Sequence, residues 1–280
     1  MDSRRWTAAI ALVALAVCAL TLAYLGSSRA HAEQRAAAAQ RTLRVTVNHR
    51  SEVIALLREE PLDRLAIDPA MSQPADERSG LEDYRLRIDH ALVVLDRDRA
   101  ALARSRRDLQ MPKALGFYRK PGLEGESRRV TRALRGLDCA RSALTIKRRQ
   151  SVLVETILDG DGTLVQMSPD IERADWEGAL DLHARAQLDL QVAGNLASAP
   201  DVPPAVRDFV ARLELSLEHV QALVQAAASR NLPAVDRLTG VVEEDGEALS
   251  SFDPAPAQAW NADRLEPLIA TYQAGLAAAG

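Results

Sequence analysis

The chain has 280 residues, of which 47% are hydrophobic and only 4% aromatic, with a formal net charge of −4. That length supports one large or two small domains with a real core. Of two cysteines, Cys18 lies inside an apolar run and Cys139 stands alone beyond it, which excludes an intramolecular disulfide, a c-type haem pair and a cysteine-based zinc site.

Met1 to Arg5 supply two arginines, and Trp6 to Leu25 follows as 20 residues without a charge. A helix of that length covers about 30 Å, the thickness of a bilayer's hydrocarbon core. Trp6 and Tyr24 stand at its ends, where amphipathic rings favour the headgroup boundary. The sequence therefore predicts a short cytoplasmic head at 1–5, a transmembrane anchor at 6–25, and an extracytoplasmic domain over 26–280. Ala30-His31-Ala32 also fits a signal-peptidase site, so the alternative is a periplasmic or secreted protein cleaved after Ala32. The apolar run of a signal peptide is about 7 to 15 residues, shorter than this one, which favours the anchor. Arginines flank both sides, so the long C-terminal part, not the positive-inside rule, sets the expected orientation.

Beyond Gly26 nearly every periodic segment has helical spacing. Helices are expected at about Ala30 to Arg58, Leu81 to Leu109, Ser127 to Leu158, Ile171 to Leu196, Ala234 to Ser250 and Ala257 to Ala278. Another follows Pro203-Pro204. In it Val206, Val210, Leu213, Leu217, Val220, Val224 and Ala227 recur with alternating spacings of four and three, an unbroken seam widened by Phe209 and Leu223. Leu81, Tyr84, Ile88, Ala91, Leu95, Leu102 and Leu109 form a second stripe, interrupted by Asp98 and Ser105. Val130, Leu134, Leu137 and Leu144 form a third, with Arg141 and Arg148 marking a helix edge. Stretches 59–80, 110–126, 159–169, 197–204 and 251–255 read as connections, and a short hairpin would fit at Val152 to Leu158 and the Gly-Asp-Gly-Thr that follows. The predicted class is all-α: an antiparallel bundle of long helices behind one N-terminal transmembrane helix, with a division into two sub-bundles near 160–170. Few aromatics and much alanine imply shallow helix faces and close packing.

Charge is unevenly spread. Glu82 to Gln150 holds 18 Lys and Arg against 9 Asp and Glu, whereas Ser151 to Gly280 holds 7 against 21. Opposite fields that meet inside one bundle account for this without a ligand. The other reading makes Arg106, Arg107, Arg128, Arg129, Lys147, Arg148 and Arg149 an interaction patch for anionic lipid or an envelope polymer; on the outer side of a membrane, nucleic acid is not expected.

Sites of chemistry are sparse. None of His31, His49, His90, His183 and His219 has Glu three residues before it, and no two lie four apart, so di-iron and zinc-protease patterns are missing. No Gly-x-Ser-x-Gly elbow or phosphate-cradling loop occurs. Asp159, Asp161, Thr163 and Asp170 occupy calcium-loop positions 1, 3, 5 and 12, but Leu164 stands where the sharp turn calls for Gly, and an ordinary Asp-Gly turn is the reading adopted. No cofactor is expected, and enzymatic activity is not. In layout the chain is similar to the helical ligand-binding bundles of bacterial membrane sensors, which normally carry a second membrane helix and an output domain. The expectation is a non-catalytic interaction or scaffold subunit of an envelope complex, with a protein partner or a second copy; a solute-sensing bundle reporting to a partner is the alternative.

Overall fold

The computed structural model describes residues 30–66, 74–110 and 121–278, together with positions 15, 17 and 21. The predicted head at 1–5 and the rest of the anchor lie outside the described residues, and among those described no helix is long and apolar enough to cross a membrane. The described residues form helices and no strand. In chain order these are α1 (30–48), α2 (Arg50–Arg58), a 3-10 turn (Pro61–Ala66), α3 (Pro74–Gln110), α4 (Pro121–Glu172), α5 (Trp176–Ala197), α6 (Pro204–Ala228), α7 (Leu232–Ser250) and α8 (Ala255–Ala277).

The chain forms two compact units that interleave in sequence. Unit 1 takes Met1–Arg50, Leu95–Asp138 and Tyr272–Gly280; unit 2 takes Ser51–Val94 and Cys139–Thr271. The junctions fall at 50/51, 94/95, 138/139 and 271/272, not at the 160–170 division expected from sequence, which lies within unit 2 in the continuous helix α4. The predicted connection at 159–169 and the hairpin before it are likewise replaced by helix. Each interior glycine costs about 1 kcal/mol relative to alanine, yet Leu153, Ile157, Gly160, Leu164 and Met167 keep a four-three seam. All are buried or half-buried. Gly160 serves close packing there: a Cβ would stand 3.3 Å from Leu190 Cδ2 on α5. α4 instead ends in a tight cap with Ala174 at φ 56°, where Asp175 N–H reaches Asp170 O at 2.8 Å. The Asp175 side chain then accepts from Gly178 N at 3.1 Å and starts α5.

In unit 1, α1 runs antiparallel to the second half of α3. Thr42 pairs with Ser105 at 3.4 Å and His49 with Asp98 at 2.8 Å, so the two polar interruptions of the α3 stripe are met by polar residues of α1 and of the turn that follows it. The stripe itself is buried throughout. α3 and α4 are antiparallel neighbours, joined by Arg99 to Asp138 at 2.6 Å. The tail of α8 lies against α4 so closely that a Cβ on Gly275 would come within 2.7 Å of Arg132 O; only glycine allows that approach.

In unit 2, the main core gathers Leu81, Leu153, Val154, Ile157, Ala193, Val206, Phe209 and Val210 with Ala257. α6 packs between α5 and α7. Its predicted seam faces inward: Val206, Val210, Leu217 and Val224 are buried, and Leu213, Val220 and Ala227 half-buried. Pro204 opens the helix at its first turn, where a missing N–H costs nothing.

Candidate functional site

Unit 2 holds a buried polar centre built on α4. The seam Val130, Ala133, Leu137, Ala140, Leu144, Lys147, Ser151 and Val154 alternates steps of three and four, and every member is buried. The helical period therefore carries Lys147 into the interior, where its side chain is wholly shielded. Its Nζ donates to Glu59 O at 2.8 Å and meets Glu60 Oε1 at 2.7 Å. One turn on, Gln150 Nε2 donates to Asn261 Oδ1 at 2.7 Å, and Asn261 Nδ2 donates to Glu60 Oε2 at 3.2 Å. Tyr84 OH donates to Leu56 O at 3.0 Å, and Arg87 forks onto both Glu59 oxygens at 2.8 Å.

Burial pushes the Lys147 ammonium below its ordinary value, while the Glu60 carboxylate opposes that shift. Burial, reinforced by Glu59 and Glu60, raises the Tyr84 hydroxyl above its ordinary value. Each donor in this network has an acceptor, and Glu60 retains 29% of its exposure. A fully satisfied buried network of this kind fixes one arrangement of the elements it joins. Here those are α2 with the two glutamates that follow it, α3, α4 and α8.

The other basic positions fall in two groups. In unit 2, Arg148 pairs with Asp89 at 2.5 Å, which raises its guanidinium further, and Arg149 pairs with Asp201. In unit 1, Arg129 meets Glu126 at 3.2 Å and Arg128 only loosely meets Glu124, at 3.7 Å. Arg107 is exposed, and the half-buried Arg106 has its Nε shielded without an acceptor among the described residues. The structure does not bring these seven residues together on one surface of one unit.

The acidic candidates lie along helical backbone. Asp159, Asp161 and Thr163 stand two residues apart, a turn of about 200° per step, so their oxygens diverge where a calcium loop would make them converge. Asp159 pairs with Arg78, Thr163 Oγ1 donates to Asp159 O at 2.9 Å, and Asp170 pairs with Arg173 at 2.5 Å. Among the described residues no group of three or more His, Cys, Asp or Glu is placed to hold a metal ion. No family model, curated protein or solved structure matches the chain.

Two surface features of unit 2 remain. A cleft of about 180 Å³ between α5 and α6 is lined by His183, Gln187, Gln191, Glu214 and Glu218 over Leu190 and Leu217. His183 Nε2 donates to Leu217 O at 3.0 Å and is held at its base. α7, by contrast, buries no residue at all. Its seam Val235, Leu238, Val242 and Leu249 is only half covered by its neighbours, Leu232 is 70% exposed, and Asp245 fills the remaining seam position by pairing with His219 of α6 at 2.7 Å.

Proposed function

We propose that this chain is a membrane-anchored, extracytoplasmic helical module that acts through contacts and not through chemistry, as a scaffold or assembly subunit. The single observation that carries the reading is α7. A 19-residue helix with a heptad-spaced apolar stripe is stabilised by covering that stripe, and here α6 covers it only in part. A partner helix, or α7 of a second copy, completes the seam in the manner of coiled-coil packing. The uncharged 6–25 segment supports the anchor and confines that encounter to the membrane surface.

The α5–α6 cleft supports the solute-sensing alternative less well. Ligand pockets usually enclose about 300 to 1,000 Å³, and this one, at about 180 Å³, admits only a few heavy atoms. The test is the native mass of the full chain extracted in mild detergent. Wild type should run as a complex, and Leu238→Glu with Val242→Glu should reduce it to a single chain. A wild-type chain that is already single would count against the reading.

A further inference from the structure

The two units differ in charge more sharply than the two halves of the sequence. Unit 1 carries 19 Lys and Arg against 8 Asp and Glu, and unit 2 carries 16 against 31. Within unit 1 the antiparallel arrangement collects one set of helix ends. Arg35 Nη1 donates to Asp108 O at 3.4 Å, and Gln40 Nε2 donates to Glu126 Oε1 at 3.0 Å. The start of α1, the end of α3 and the start of α4 therefore lie together, and α1 starts at the first described helical residue after the apolar segment.

We propose that this end of unit 1 is a binding surface for the anionic phospholipid headgroups of the membrane that holds the anchor. Arg104 and Arg107 on α3, and Arg128 and Arg132 on α4, are exposed there. Among the described residues, Arg104, Arg107 and Arg132 have no hydrogen bond or ion pair, and Arg128 has only the loose one with Glu124. Of the acidic groups at this end, Glu126 is buried and engaged through Oε1 by Gln40 and Arg129, while Glu33, Asp108 and Glu124 are exposed and are outnumbered by the arginines. In unit 2, by contrast, Arg85, Arg87, Arg148 and Arg149 each hold a carboxylate. Free guanidinium forks match phosphate oxygens in geometry as well as charge.

Reach decides the occupant. Leu25 and Ala30 are five residues apart, so the chain leaving the bilayer enters α1 within about 18 Å of it, and Arg104, next to the Ser105 that meets Thr42, lies about 18 Å further along that helix. With α1 inclined toward the membrane, extended arginines and a Debye length of about 8 Å close that distance. The negative potential of an anionic leaflet attracts basic residues held beside a membrane segment. The proposal rests on the anchored reading of residues 6–25.

The experiment reconstitutes the full chain into phosphatidylcholine vesicles with and without phosphatidylglycerol. Phenylglyoxal labelling of each arginine is read by mass spectrometry, and alkaline-carbonate extraction is run in parallel. Labelling of Arg104, Arg107, Arg128 and Arg132 should fall several-fold on the anionic vesicles and recover at 1 M salt, where the Debye length is about 3 Å. Exposed Arg212 and Arg237 of unit 2 should label equally on both. A carbonate-resistant chain whose four arginines label equally on both vesicles overturns the surface and leaves the anchor standing. A chain that carbonate removes but whose arginines are still protected on anionic vesicles overturns the anchor and keeps the surface. Extraction without protection overturns both.

Discussion

Lys147→Met removes the ammonium at the centre of the unit 2 network and keeps the apolar stem. The variant loses a charged hydrogen bond to Glu59 O at 2.8 Å, worth about 1.5 to 3 kcal/mol. It also leaves Glu60 without its cation, and stripping one partner from a fully buried pair costs about 3 to 5 kcal/mol. Glu60 is 29% exposed and keeps Asn261 Nδ2 at 3.2 Å, so water and that amide offset part of the second loss. The expected destabilisation is therefore about 2 to 4 kcal/mol. Urea denaturation of the full chain in mild detergent, followed by circular dichroism, measures it. Glu60→Leu supplies the contrast: it strands an ammonium with no exposure at all, so it should cost more than Lys147→Met. A loss below about 0.5 kcal/mol for Lys147→Met, the ordinary range of a surface change, would refute the claim that this lysine is charged and structurally engaged.

Other outcomes follow from single groups. Tyr272 is buried with its hydroxyl lacking any partner among the described residues, so Tyr272→Phe should raise stability by about 1 kcal/mol by removing an unsatisfied donor; a loss of that size would mean the hydroxyl is bonded. Arg230 sits at φ 57° in the cap that ends α6, and Arg230→Gly should raise the melting temperature, by up to about 1 kcal/mol of relieved strain; a fall in that temperature would count against the cap. The alkaline pH profile should have two opposed limbs. Because burial lowers Lys147 below its ordinary 10.5, the unfolded chain binds more protons in the window just beneath that value, and stability rises with pH there. Tyr84 is raised above its ordinary 10.0, so its contribution is whole below that value and is lost as pH climbs beyond it. Lys147→Met should erase the rising limb in a pH series of denaturation curves, and a rise that persists in the variant would assign it to another group.

Much of the fold is legible because burial imposes a period on the residues that meet. The α3 stripe and the α6 seam were both readable residue by residue, and both lie inward. Even the breaks at Asp98 and Ser105 marked real polar contacts, though only their partners His49 and Thr42 explain them. What misled was local chemistry. Asp159-Gly160-Asp161-Gly162 has every mark of a turn, yet the four-three seam running through Gly160 to Met167 outweighs it. Lys147 reads as one cation in a basic run when the eye follows charge, and as a core position when it follows the Leu137, Ala140, Leu144, Ser151 seam. That seam was the available signal. Nothing in the sequence announces that Glu60 pairs with it or that Asn261 bonds Glu60 in turn, because Glu60 and Asn261 are brought together from 201 residues apart. The interleaving of the units is hidden for the same reason: α3 and α4 are each continuous helices, and contacts, not breaks in the chain, divide them.

The central claim is that an anchored chain acts through the half-covered stripe of α7. Placing a photoreactive residue at Leu238 or at Val242 of the full chain in its native membranes, and irradiating, tests this most directly. The account predicts a discrete adduct at both positions, of the mass of one partner or of two chains, that is absent when the label is moved to exposed Glu243. Adducts at neither position, from a chain that remains with the membrane fraction, would contradict it.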